Sequence, residues 1–146
     1  AVGSATAALG PDTIVTIIAD DLGWYDTQLN NPMAPTPFLG NLTAEGMILD
    51  RHYTFMYCSP TRRAFLSGRF PVHISEVQAD ICTNYLPLNF TLLSQKLLSA
   101  GFESHFLGKG HLGYQSEDHL PIYRGFASHA GFLYGWGQYA NGTMKL

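Results

Sequence analysis

Thr13-Ile14-Val15-Thr16-Ile17-Ile18-Ala19, closed abruptly by Asp20-Asp21, is the stretch on which the fold turns. A near-continuous β-branched run of this length reads as a strand buried on both faces, the kind found in parallel sheets. Beyond it, Pro35-Thr36-Pro37 offers an N-cap at Thr36 with Pro37 at the first helical position. Phe38, Leu39, Leu42 and Met47 supply that helix's inner face, and Gly46 stops it. Residues 48–57 read as extended. Residues 61–69 predict a short helix with Ala64, Phe65 and Leu66 in its body and Gly68 near its end. Residues 70–90, with no sustained period, read as a long surface connection. Residues 91–101 give the clearest helix, with a Thr91 cap, leucines at helical spacing and a Gly101 stop. Residues 102–107 then alternate apolar and polar, as a strand does.

Strand, helix, helix, strand in this order predicts an α/β domain with a mainly parallel sheet flanked by helices. Such sheets gather ligands at the carboxyl ends of their strands. Asp20 and Asp21 end the first strand, and Lys109 and His111 lie just past the end of a later one. These polar groups are therefore expected on one rim.

Composition narrows the class. The 146 residues are 46% hydrophobic and only 13% charged, about half the usual charged share. That excludes a disordered chain, a coiled coil and a charge-covered bundle. A formal net charge of −3 carries no basic footprint for nucleic acid. No apolar run is long enough for a transmembrane segment, and none has a signal-peptide pattern. The chain begins at Ala1, which reads as a removed leader or a fragment; residues 1–10 are expected to be a disordered lead-in to a domain over 11–146. Two cysteines, Cys58 and Cys82, make no disulfide framework. Asn-x-Thr sequons at Asn41, Asn89 and Asn141 are glycosylation candidates and favour a secretory route.

The chemistry-bearing residues fall into two groups. Adjacent carboxylates repel unless a cation or a donor offsets them, and hard oxygen ligands suit Ca²⁺ or Mg²⁺ better than a soft metal. Asp20 and Asp21 read either as such ligands or as a pair of loop carboxylates. The stretch Cys58-Ser59-Pro60-Thr61-Arg62-Arg63-Ala64-Phe65-Leu66-Ser67-Gly68-Arg69 is more specific. It sets a cysteine just ahead of a helix N-terminus, where backbone N–H groups favour an anion. Arg62, four residues on, is placed to stabilise an oxyanion made there. His52, His73, His105, His119 and His129 show no metal-ligand spacing and read as surface or packed histidines. The aromatics Trp24 and Trp136 read as core.

The stretch from Cys58 to Arg69 resembles the signature of the type I sulfatases, formylglycine-dependent enzymes. Asp20-Asp21-Leu22-Gly23-Trp24 resembles the family's first metal-binding motif, and Thr36-Pro37-Phe38-Leu39 one of its helix starts. Gly108-Lys109-Gly110-His111-Leu112-Gly113 resembles its Gly-Lys-Trp-His-Leu-Gly, and Arg124-Gly125-Phe126 its Arg-Gly-Phe-Asp segment. Five motifs stand in the family's order over residues 14–135, most like animal enzymes of the arylsulfatase B group. The resemblance implies an alkaline-phosphatase-like superfold, incomplete in this chain, and hydrolysis of sulfate monoesters.

The resemblance also implies roles. Cys58 becomes formylglycine, made by a formylglycine-generating enzyme; one hydroxyl of its hydrate attacks sulfur. Asp20, Asp21 and the residue at 58 contribute to a Ca²⁺ site, with Mg²⁺ as the alternative ion. Arg62 stabilises the activated diol, Lys109 binds a sulfate oxygen of the substrate, and His111 assists proton transfer from the second hydroxyl. The expected substrate is a sulfate-ester small molecule or a sulfated glycan, and the expected location is lysosomal or extracellular. Three features depart from the pattern: Gly110 stands for Trp, Ala127 for Asp, and further metal ligands and a leaving-group acid have no place in this chain. If Cys58 is converted, Cys82 has no partner here. The alternatives are a truncated or degenerate non-catalytic relative and a phosphatase or phosphonate hydrolase of the same superfold.

Overall fold

A computed structural model describes residues 13–74 and 85–135. In chain order these form helices α1 (Pro37–Glu45), α2 (Cys58–Ser67) and α3 (Leu93–Ser99), and strands β1 (His105–Lys109) and β2 (Ser128–Phe132). Short 3-10 turns stand at Pro71–His73, Glu117–His119 and Pro121–Tyr123. The chain divides into two units, Ala1–Ile48 and Leu49–Leu146. The lead-in at 1–10, Cys82, Trp136 and Asn141 lie outside the described residues.

In the first unit α1 begins at Pro37, where the missing N–H costs nothing, and ends at Gly46, whose N–H bonds the Leu42 carbonyl at 2.9 Å. The expected Thr36 cap does not form. Its hydroxyl instead accepts the Gln28 N–H at 2.8 Å, tying the helix start to the preceding loop. The apolar positions of α1 lie unburied. Residues 13–19 also differ from expectation: they form no ladder, and Ile17 is 84% exposed. A strand satisfies its backbone groups only through a neighbour, and the described residues of this unit contain no other strand. The run ends in a bend at Asp20-Asp21, with Asp21 in the left-handed region at φ 54°.

In the second unit β1 and β2 pair in parallel, with His105 opposite Ser128 and Lys109 opposite Phe132. This is the expected parallel sheet, present as one strand pair. Helix α3 starts at Leu93 rather than directly after Thr91; the Leu92 N–H donates to the Gln95 side chain at 2.8 Å, which satisfies the end that Thr91 does not cap. Gly101, at φ 88°, takes the left-handed residue past the helix end, as expected. Ile74, Leu86, Leu92 and Leu112 form the buried core, with Ala64, Leu66 and Phe90 packed on it. Each such leucine contributes about 1.5–3 kcal/mol by leaving water. The core thus joins α2, the start of α3 and the segment just after His111.

Candidate active site

Helix α2 starts at Cys58 itself, three residues before the expected start at Thr61, so the thiol sits on the first residue of the helix. Pro60 in the first turn lacks only an N–H that no intrahelical carbonyl would accept. The Thr61 hydroxyl donates to the carbonyls of Tyr57 (2.8 Å) and Phe55 (3.1 Å), fastening the helix to the extended chain before it. At the other end Gly68, at φ 66°, donates its N–H to the Ala64 carbonyl at 2.8 Å. Helix α2 buries Ser59, Pro60, Arg62 and Arg63 and packs Ala64 and Leu66 on the core, while Phe65 is 42% exposed. Burying two arginines departs from the usual amphipathic pattern. Two guanidiniums taken out of water must be held by acceptors. For Arg62 one such acceptor is the Lys109 carbonyl, to which Nη1 donates at 2.8 Å.

That bond closes the site. Cys58 and Arg62 are one turn apart on one face of α2, and Arg62 grips the last residue of β1. Beyond β1 the two segments stay joined through the backbone: the Gly110 N–H donates to the Phe132 carbonyl at 2.8 Å and the His111 N–H to the Leu133 carbonyl at 2.9 Å. The Leu112 carbonyl accepts the Leu86 N–H at 2.7 Å. His111 is held in the left-handed region at φ 55°, a strained state that persists only where neighbours determine it. Its ring meets the Tyr134 ring edge-on, with centroids 5.6 Å apart, and lies against Gly135, where a Cβ would stand 2.5 Å from Cε1. Arg62 is thus joined to the backbone segment that carries Lys109 and leads to His111.

Asp20 and Asp21 belong to the first unit. Their hard carboxylate oxygens suit Ca²⁺ or Mg²⁺, but two residues supply fewer than the six to eight oxygens that Ca²⁺ takes. Among the described residues no group of three or more His, Cys, Asp or Glu side chains gathers for a metal. Asn41, on α1, and Asn89 are exposed. The other histidines behave as packing or surface residues. His129 stacks on Phe106 at 5.3 Å, and burial pushes its imidazole below the usual range, opposed by a hydrogen bond to the Gly108 backbone. His119 meets Tyr85 edge-on at 4.7 Å; burial and the Arg124 charge lower it, opposed by Asp118.

Three features escaped the sequence reading. Arg63, which occupies a position of no expected role, is completely buried. The Tyr134-Gly135 cradle of His111 lies in a stretch to which the sequence assigned no role. The Leu86 bond to Leu112 joins residues from different segments. Glycine beside an aromatic signals close packing, but which side chain it admits is set by tertiary contact.

Comparison with known proteins fits this geometry. The family model described as Sulfatase matches residues 12–142. Arylsulfatase J of Mus musculus is 36% identical over 137 residues, covering 92% of this chain and 23% of that protein. Arylsulfatase G of Rattus norvegicus is 37% identical, over 83% of this chain and 24% of its own length. N-acetylgalactosamine-6-sulfatase of Mus musculus is 34% identical, over 84% and 26%. A crystal structure of Ps i-CgsB superposes with a TM-score of 0.67 at 29% identity, covering 82% of this chain and 27% of that one. The same protein in complex with k-i-k-neocarrahexaose gives 0.67 at 28%. The chain spans about a quarter of the length of the curated relatives it matches. Its strand pair and helices are accordingly part of an alkaline-phosphatase-like α/β domain. Because the family match runs unbroken through every motif quoted from the sequence, from Asp20 to the Arg124 segment, this chain belongs to the sulfatase family.

Proposed function

We propose that the protein bearing this chain is a sulfuric ester hydrolase and that the chain supplies its nucleophile and its sulfate-binding rim. The observation that carries the reading is the 2.8 Å bond from Arg62 to the Lys109 carbonyl, which joins the helix opening with Cys58 to the strand end bearing Lys109 and leading to His111. A thiol at a helix start, a guanidinium one turn on, an ammonium and an imidazole form the set that attack on an anionic sulfate monoester needs.

In this reading Cys58 is converted to formylglycine; one hydroxyl of its hydrate attacks sulfur as the ester S–O bond breaks and the alcohol leaves, and proton loss from the second hydroxyl reforms the aldehyde while the C–O bond to sulfate breaks and sulfate is released. The first-turn N–H groups of α2 and the Arg62 guanidinium favour negative charge at position 58. Lys109 binds a non-bridging sulfate oxygen and offsets its charge in the transition state. His111 takes the proton of the second hydroxyl. Asp20 and Asp21 are oxygen donors of the right hardness to contribute, with residue 58, to a Ca²⁺ site; Mg²⁺ is the alternative. Such an ion, when bound, polarises sulfate oxygens as a Lewis acid. Gly110 does not dismantle the rim, since its backbone bond to Phe132 is made whatever the side chain.

Sulfated sugars are the favoured substrate class, supported by a relative named N-acetylgalactosamine-6-sulfatase and a structural neighbour complexed with k-i-k-neocarrahexaose. The sequons at Asn41, Asn89 and Asn141 support a secretory, lysosomal or extracellular location, where a formylglycine-generating enzyme is the required partner. No helix among the described residues is long and apolar enough to cross a membrane. The test is the full-length protein from a host able to make formylglycine. Mass analysis of the peptide containing residue 58 should show thiol-to-aldehyde conversion, and an aryl sulfate should be hydrolysed in preference to the matching phosphate. Cys58→Ala should remove both signals. An unmodified thiol in fully folded protein, or equal turnover by Cys58→Ala, sinks the reading.

A further inference from the structure

Arg124 belongs to a motif to which the proposed mechanism gives no work, yet it is one of the most completely buried residues, 2% exposed. Its guanidinium donates to three carbonyls of a single loop: Leu86 at 3.0 Å, Phe90 at 2.7 Å and, more weakly, Pro87 at 3.4 Å. Among the described residues it forms no ion pair with a carboxylate. A buried charge held only by carbonyls is an expensive way to fill space, and an apolar side chain would do that better. The planar fork is suited to holding several acceptors in fixed relation, and Pro87 cannot supply an N–H of its own to this loop.

The loop is fixed at one side by Arg124 and closes on the site with the other. The Leu86 N–H donates to the Leu112 carbonyl, one residue past His111. Arg124 is itself located by its neighbours. Its carbonyl accepts the Ser94 hydroxyl at 2.5 Å, Gly125 lies directly on the backbone of Ser94 and Gln95, and Phe126 stacks on Phe106 of β1 at 5.2 Å. The motif therefore refers the loop, and through it Leu112, to α3 and β1. His111, at φ 55°, needs anchors on both sides. Leu133 supplies the one at its N–H and Leu86 the one that follows it.

We infer that Arg124 is a positioning residue for the segment from Lys109 to Leu112, holding His111 in its strained backbone state through the loop of residues 86–90. The kinetic part of this inference rests on the hydrolase reading above; the structural part does not. The test compares Arg124→Gln and Arg124→Lys with the wild type in the full-length protein. Amide exchange and histidine C2–H exchange are followed by mass spectrometry, and kcat and KM on an aryl sulfate are expressed per folded molecule. Arg124→Gln should speed amide exchange over residues 109–113 by about tenfold or more while α1 is unaffected. It should change the His111 C2–H exchange profile with pH, and lower kcat about tenfold or more with KM nearly constant. Arg124→Lys, able to reach fewer carbonyls, should fall between. If Arg124→Gln does not fold, the same readouts on Arg124→Lys decide. Unchanged exchange at 109–113, or an equal rise throughout the molecule, overturns the inference. Should the wild type hydrolyse no sulfate ester, the hydrolase reading fails, while the exchange data still judge the positioning role.

Discussion

Replacing Gly135 by alanine tests the site through a single methyl group. A Cβ at this position would lie 2.5 Å from Cε1, 2.8 Å from Nε2 and 3.0 Å from Nδ1 of His111. Ordinary contact begins near 3.5 Å, so one side must retreat by about 1 Å. The backbone on both sides is tied, because Gly110 and His111 donate to the Phe132 and Leu133 carbonyls. The imidazole is the softer partner. It can swing about χ1 and χ2 for about 0.5–1.5 kcal/mol, so the fold should survive with little loss of stability. A reacting group displaced by about 1 Å loses on the order of a hundredfold in rate. We therefore expect Gly135→Ala to lower kcat on an aryl sulfate about a hundredfold while KM moves by less than about threefold. In a His111→Ala background the same change should do almost nothing, since its target is gone. A kcat close to that of the wild type, or a hundredfold loss that persists without His111, refutes the argument.

Other perturbations reach other parts of the molecule. Gly125→Ala would set a Cβ 2.6 Å from the Gln95 nitrogen at a residue with φ 88°; backbone strain and overpacking together should destabilise by about 2–5 kcal/mol, read by chemical denaturation. Gly110→Trp should fold normally, because a Cβ there makes ordinary contacts with the Phe132 and Leu133 carbonyl oxygens at 3.5 Å and with Leu133 Cα at 3.6 Å; a stability change within about 1 kcal/mol is expected from melting curves. Burial and Arg124 hold the His119 imidazole below its ordinary value, so the unfolded chain binds its proton first. Stability from this group is present above about pH 6.5 and falls as pH drops through that value toward the lower native one. His119→Gln should flatten the dependence of the melting temperature on pH in that window.

Much of the second unit was legible because its signals are local. Gly68 and Gly101 mark helix ends through conformations that glycine adopts readily. The alternation after Phe102 gave a strand that the structure places at His105–Lys109, shifted toward its carboxyl end. The failures follow from long-range effects. Residues 13–19 read as doubly buried, yet burial depends on neighbouring strands that no local pattern supplies. Thr36 and Thr91 both carry capping hydroxyls. The first was drawn away by Gln28, and the second lost its place when Gln95 satisfied the start of α3. Arg62 and Arg63 show the same limit. Arg62 read as an oxyanion partner and Arg63 as a position without a role, and only tertiary structure reveals that both are buried.

The way in which the rim is held bears on which of its positions can vary. Lys109 is gripped by its carbonyl, Gly110 and His111 by their N–H groups, and Leu112 by its carbonyl. Four consecutive residues are thus located through backbone groups, which every non-proline residue carries, so sequence change at a position such as 110 need not move the rest. The grips themselves are less interchangeable. Arg62 acts through a side chain, and the Leu86 contact depends on a loop that Arg124 closes. A substitution in the grips should therefore disturb the rim more than many substitutions within it. Placing Trp at 110 and Gln at 124 compares the two directly: the first adds bulk inside the rim, whereas the second removes donors outside it. Local amide exchange at 109–113 should rise only for the second.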